Sequence, residues 1–497
     1  MPFFLSVLMA VQAITWREAP AGSVLHIRLT GAVGSYASRP GSPIEGVLIA
    51  PVKVDGETVL PSGSILSGTV KSARRVGFGI IHESASLDLT FDSISLPGGG
   101  TRHLTTQLAA VDNSREEVTP TGSIREVRST GSWGNRAAHY LQSIMLLDVH
   151  AQLMAWAVKS VVIQIPEPEI YLPSGTELTL VLPKAERSYT TSDSDDETRT
   201  FTQYERASLA PVISDLPSRA FTPPTKKSEA GKPADLVNLL FIGSREQIAA
   251  AFTAAGWTEA RPTSFRAVMS VSLAAMFNRN NNHNGPMSAM RVNNAAPDMS
   301  WQKGFNDVGK RHHVRLWKLD QTWEGQELWA GAGTRDVEWG YLRGAVATHR
   351  VEEHVDHERD KVAYDIAFAS CADVLDWMDR PDGLRMTRNA TGDRMQTDGQ
   401  LAVVQMNDCS NPRRMAAGGD TLPVHGKLFE RLLRREILTA RNDLIRGNIY
   451  WKAYEGIRSV VFMIQNRRQP PELDAAPQQT LASRLQPSGL NSIVSFR

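Results

Sequence analysis

Little in this chain declares a chemistry outright. Cysteine is nearly absent: Cys371 and Cys409 are the only two among 497 residues. That excludes a disulfide framework or a four-cysteine zinc site, and leaves either one bridge or two buried thiols. Charge of one sign is lacking too, since 54 basic side chains face 53 acidic ones. With no overall field to draw in nucleic acid or an anionic membrane, any recognition of an anion has to be local. Long apolar runs are also missing. The longest candidate, residues 140–165, is interrupted by Gln142, Asp148, His150, Gln152 and Lys159, and ionisable groups at bilayer depth are costly, so no membrane span is expected in the mature chain. No His-Glu-x-x-His motif occurs either.

What is present is length and apolar content. A chain of 497 residues with 41% hydrophobic content exceeds the size of one core and predicts roughly two or three domains. Residues 1–13 carry an apolar run closing on Val11-Gln12-Ala13, which reads as a signal peptide and places the protein in the periplasm, the cell envelope or the medium of a bacterium. From residue 20 to 185, short alternating segments separated by turns such as Asp55-Gly56 and Leu60-Pro61-Ser62-Gly63 predict an antiparallel β-barrel or sandwich. A helical insertion is expected over 133–163. Residues 186–234, with Thr191-Ser192-Asp193-Ser194-Asp195-Asp196 and Pro223-Pro224, read as a linker. Residues 235–410 follow the order β-α-β-β-α-β of a ferredoxin-like split βαβ sandwich, with its second helix running from about 355 to 377. A helical extension over 420–465 and a disordered tail over 466–497 complete an α+β, multidomain plan.

The chemistry concentrates between Lys310 and Asp360, where imidazoles, carboxylates, guanidinia and indoles crowd together. Strand alternation sends His313, Arg315 and Trp317 to one face and His312, Val314 and Leu316 to the other. If Val314 and Leu316 meet the helices, His313 and Arg315 face solvent or a partner sheet. One reading is hydrolytic: His313, Asp336 and His349 as base, orienting carboxylate and acid, with Arg359 or Arg315 holding an anionic substrate. A second is a binding face built on Arg315, Trp317, Trp329 and Arg335, taking an envelope protein, a lipid headgroup or a glycan surface. A third is a divalent metal held by His354, His357 and Glu358, at helical spacing. No cofactor other than that metal is called for.

Several ordered motifs resemble the LssY family C-terminal domain: Asn238 to Ser244, Ala254-Ala255-Gly256-Trp257, Trp301-Gln302-Lys303, Arg311 to Trp317, Trp329-Ala330-Gly331-Ala332-Gly333-Thr334-Arg335-Asp336, Thr348-His349 and Asp356 to Asp360. The resemblance covers about 235–410 and implies an envelope protein. Members of that family are often joined to phosphatase-like membrane domains, and no activity is established for it. The N-terminal half resembles the β-barrel domain of TrbI-type conjugation-channel proteins, through Gly46 to Val52, Leu66-Ser67-Gly68-Thr69-Val70, Leu87 to Phe91 and Leu96 to Gly99. Together these imply a binding or scaffold module, with hydrolysis, of phosphate esters first, as the alternative.

Overall fold

The computed structural model describes residues 16–77, 84–97, 99–112, 116–126, 169–189, 198–225, 231–260, 287–304, 311–342, 346–380 and 382–413, with 433 and 437. The expected signal peptide, the helical insertion, the tail and all but two residues of the helical extension lie outside them. No helix among the described residues is long and apolar enough to cross a membrane.

The N-terminal strands are β1 (Val24–Leu29), β2 (Pro43–Leu48), β3 (Ile65–Arg74), β4 (Ser86–Ser95), β5 (Thr101–His103), β6 (Gln107–Val111), β7 (Glu116–Val118), β8 (Ser123–Glu126) and β9 (Glu177–Val181). They form one antiparallel sheet in the order β6-β9-β1-β2-β3-β4-β8-β7, with β5 on β4, and its two ends approach each other so that the sheet is nearly closed. Alternation explains the curl. Leu25, Ile27 and Leu29 of β1, Leu66 and Val70 of β3, Phe91 of β4 and Leu178 and Leu180 of β9 all point into one core. The intervening residues point outward, and Arg28 stands opposite Glu177 on that outer face.

A segment expected to be a linker is partly folded. Residues Gln203–Ser214 form helix α1, opened by a capping box in which Thr202 and Glu205 satisfy each other's backbone. Leu209 and Ile213 are buried, and Trp323 donates to Ser208 Oγ at 2.9 Å. Residues 190–197 and 226–230 lie outside the described residues.

The C-terminal elements are β10 (Leu239–Ile242), α2 (Arg245–Ala254), β11 (Thr258–Glu259), β12 (Met299–Gly304), β13 (Arg311–Trp323), β14 (Gln326–Leu342), β15 (Val346–Val351), α3 (Val355–Phe368), β16 (Ala372–Asp379) and β17 (Gln400–Met406). The sheet runs β11-β12-β13-β14-β10-β17-β16, with β15 on β14. This is not the order of a plain split βαβ sandwich. The stretch from 355 to 377 is a helix and then a strand, because α3 ends at Phe368 and Ser370 takes a left-handed backbone (φ 59°) that turns the chain into β16. The last strand, β17, then inserts beside β10 in parallel, with β16 outside it. Cys371 and Cys409 form a disulfide across this corner, their Cα atoms 4.4 Å apart.

Two cores sandwich the sheet. On one face α2 and α3 pack Ile248, Phe252, Val362 and Ile366 against Leu239, Phe241, Val314, Leu316 and Trp329. The glycines of the Trp-Ala-Gly-Ala-Gly run belong here: a Cβ on Gly331 would sit 2.9 Å from Leu239 Cβ and 3.0 Å from Leu316 Cδ2. On the other face α1, Phe201, Ala220 and Val292 cover Leu240, Ile242, Trp317, Ala330 and Ala332.

Candidate functional site

The ends of β12, β13 and β14 carry polar side chains on both faces, in rows set by the register. Gln302, His313 and Thr334 lie side by side in one row, and Gly304, Arg311 and Asp336 in the next on the same face. On this face His313 and Arg315 are buried rather than open to solvent, and farther along it α1 and Val292 pack on Trp317 and Trp323. Arg315 donates to Asp235 Oδ2 at 3.1 Å and to the Ser288 carbonyl, and Thr334 donates to the same Asp235 carboxylate. Burial nevertheless raises the Asp235 carboxyl above its usual range, against the pull of Arg315. His313 Nε2 lies 2.7 Å from Asp336 Oδ2. An ionised carboxylate only accepts, so Nε2 carries the proton and Nδ1 of the neutral ring presents a lone pair. Burial lowers the His313 pKa to about 4, outweighing Asp336.

Around this dyad the row is short of partners. Both amide atoms of Gln302, Nε and Nη1 of Arg311, and Nδ1 of His313 are buried without a hydrogen bond among the described residues. Each such group costs roughly 1–3 kcal/mol, more where it is charged. The buried Arg359, by contrast, donates to Asp356, Asp360, Asp398 and the Gln400 carbonyl.

On the opposite face the adjoining row is Lys303, His312 and Arg335, and it meets the barrel. His312 lies between two carboxylates, Nδ1 at 2.6 Å from Glu358 and Nε2 at 2.9 Å from Asp112, the residue after β6. Burial alone would lower its pKa, but Glu358 and Asp112 outweigh burial and raise it above 6.5. Arg335 reaches the other Asp112 oxygen at 2.7 Å. Burial would raise the Asp112 carboxyl, yet His312 and Arg335 hold it far below the usual carboxylate range. Beside this lies a second cluster. Glu177 accepts from Arg28 at 2.6 Å, from Lys303 at 3.1 Å and from Lys361; Asp365 accepts from Arg28 at 2.9 Å, Lys303 at 3.0 Å, Lys361 at 3.3 Å and Trp257 Nε1 at 3.0 Å. Three cations and two carboxylates thus form a buried seam between the barrel and the C-terminal domain.

The residues singled out from the sequence separate accordingly. His313 and Asp336 come together. Arg359 does not join them, because it sits on α3 across the sheet and pins that helix to β17 through Asp398 and Gln400. His349 pairs through its backbone with Trp339, and its side chain lies outside the described residues. The open binding face is corrected: Trp317 and Trp329 are core residues whose indole N–H groups donate to the carbonyls of Ala295 and Gly243, Arg315 is paired with Asp235, and Arg335 joins the seam. The residues of the metal reading have partners of their own. Glu358 turns to His312 and His357 to Glu352, and no group of three or more potential ligands gathers among the described residues. Gln302 and Arg311 were missed, as were Asp112, Glu177, Lys303 and Asp365. The alternation Arg311-x-His313-x-Arg315 held the signal for Arg311, whereas the seam depends on pairings over more than a hundred residues.

No curated protein matches this chain. Among solved structures, ComB10 of the Com Type IV secretion system of Helicobacter pylori aligns over 34% of this chain and 89% of its own at 11% identity and a TM-score of 0.20, a likeness too slight to carry a reading. Residues 215–401, which hold both polar rows, match the family model for the LssY C-terminus, and it is to that family that this part of the chain is similar.

Proposed function

We propose that the chain is an exported cell-envelope module in which the barrel and the LssY-like domain form one scaffold for binding an envelope protein, a lipid headgroup or a glycan. The observation that carries this reading is the seam. Arg28, Glu177, Lys303, Lys361 and Asp365 are tolerated out of water only when all partners are present, so the two halves act as one body. The Cys371–Cys409 bridge supports export, since such bonds persist in oxidising compartments. The signal-like residues 1–13 belong to the same reading. The order β10, α2, β13, β14, α3 supports an elaborated split βαβ sandwich whose closing strand is replaced by β16 and β17.

The test is fractionation followed by assay of the full chain. It should be recovered bonded at its two cysteines from the envelope or periplasm, should cosediment with envelope membranes, and should release nothing from a panel of phosphate esters. Recovery from the cytosol with free thiols would remove the export reading. A second reading, hydrolysis of a phosphate ester, is favoured by one observation: the His313–Asp336 dyad leaves a lone pair on a neutral imidazole, as a general base requires. Turnover that disappears in His313→Gln would put this reading first.

A further inference from the structure

The unpaired groups beside the dyad define a ligand by their hydrogen-bonding needs. Gln302, Arg311 and His313 are 2%, 7% and 4% exposed, and five of their polar atoms are buried without partners. Native interiors hold few such atoms, so five on three adjacent residues mark a place where another group belongs. Gln302 stands directly opposite His313, and Arg311 lies two residues along β13 on the same face, about 7 Å away. Opposite Arg311 is Gly304, which presents no side chain.

The inventory is mixed. Arg311 offers N–H donors and a positive charge. The Gln302 amide offers one donor group and one acceptor, whichever way it is turned, and His313 Nδ1 is an acceptor because Nε2–H is committed to Asp336. A carboxylate, a sulfate or a phosphodiester would satisfy the donors and leave the acceptors empty. A phosphate that keeps a P–OH serves the donors and an acceptor together, with its unprotonated oxygens toward Arg311 and the Gln302 N–H, and its hydroxyl toward His313 Nδ1. Asp336, across from Arg311 in the register, adds a negative charge that disfavours a fully ionised dianion.

We propose that Gln302, Arg311 and His313 form a binding site for a singly charged, protonated phosphate group, either inorganic dihydrogen phosphate or the terminal phosphate of a monoester. The site goes beyond the scaffold reading and holds whether or not the bound ester is hydrolysed.

Calorimetric titration of the full chain with sodium phosphate at neutral pH, against sodium sulfate at matched ionic strength, is the first arm. One phosphate per chain should bind, with sulfate weaker by about tenfold or more, the loss expected from a charge-assisted hydrogen bond. Glycerol 3-phosphate in solution and phosphatidylcholine vesicles with or without phosphatidic acid then distinguish a soluble monoester from a lipid headgroup. The second arm is Arg311→Met. Without phosphate this variant should melt no lower than the parent, because buried N–H groups without acceptors have been removed, while the rise in Tm that phosphate gives the parent should vanish. Equal affinity for phosphate and sulfate, no phosphate response in the parent, or a variant that loses Tm yet keeps that response would each overturn the site. Because binding is read directly, lack of turnover would leave it standing, and absence of envelope association would bear only on the scaffold reading.

Discussion

Removing Glu177 tests whether the seam holds the two halves together. Glu177→Gln keeps the shape and one acceptor oxygen but deletes a charge that serves Arg28, Lys303 and Lys361 at once. Of the two carboxylates that these three cations share, only Asp365 would remain. Taking one partner from a buried ion pair costs about 3–5 kcal/mol, and the lower figure is apt because Glu177 keeps 12% of its side chain in water. The cost falls on docking, since Lys303 and Lys361 belong to the C-terminal domain and Arg28 to the barrel. Amide hydrogen exchange is the suitable assay, because β9 and α3 can be followed separately and local opening is read as a free energy. A docking loss of about 3 kcal/mol corresponds to exchange on the order of a hundredfold faster in α3. Adding Lys303→Met should recover part of it, because one cation leaves with the anion. Acid should act in the same direction. Burial would raise the Glu177 carboxyl, but Lys303, Lys361 and Arg28 hold it well below its ordinary 4.5, so its contribution is present above that value and fades as pH falls through the lowered one. An α3 exchange rate within threefold of the parent would refute the account of the seam as a lock.

Three further outcomes follow from the same geometry. His312 has its pKa raised above 6.5, so its contribution to docking is complete below 6.5 and is lost as pH climbs through the raised value; His312→Gln should flatten that alkaline dependence of α3 exchange. Gly331→Ala should lower stability by about 1–3 kcal/mol in urea unfolding of the C-terminal domain, because the added methyl meets Leu239 and Leu316 in a filled core. Cys409→Ala opens a bridge between residues 38 apart and should cost about 4 kcal/mol by loop entropy, read as a fall in Tm that reductant no longer deepens.

The barrel strands were legible because their alternation is driven by a single core that one face of each strand must reach. The helix α1 was legible in principle: Thr202-x-x-Glu205 is a capping box, but it stands next to an acidic run that reads as solvated chain. The strand β16 was hidden by its own apolar content, since Val374 and Trp377 extend the helical spacing of α3. Only the left-handed Ser370, a residue with no particular preference for that conformation, shows the break. At the candidate site, alternation along β13 sorted His313 and Arg315 from His312 correctly. What alternation could not reveal was that both faces are covered, because the barrel contact through Asp112 comes from 200 residues earlier in the chain.

Arg311, His312 and His313 are consecutive, yet they serve opposite sides of a single sheet: the outer two turn toward the row with unfilled hydrogen bonds, and the middle one is gripped by the barrel through Asp112. Only one thickness of backbone separates the two compartments. A pull on the guanidinium or the imidazole of the first side is therefore applied to the same short piece of chain that anchors the second, so the wall between them is also a linkage.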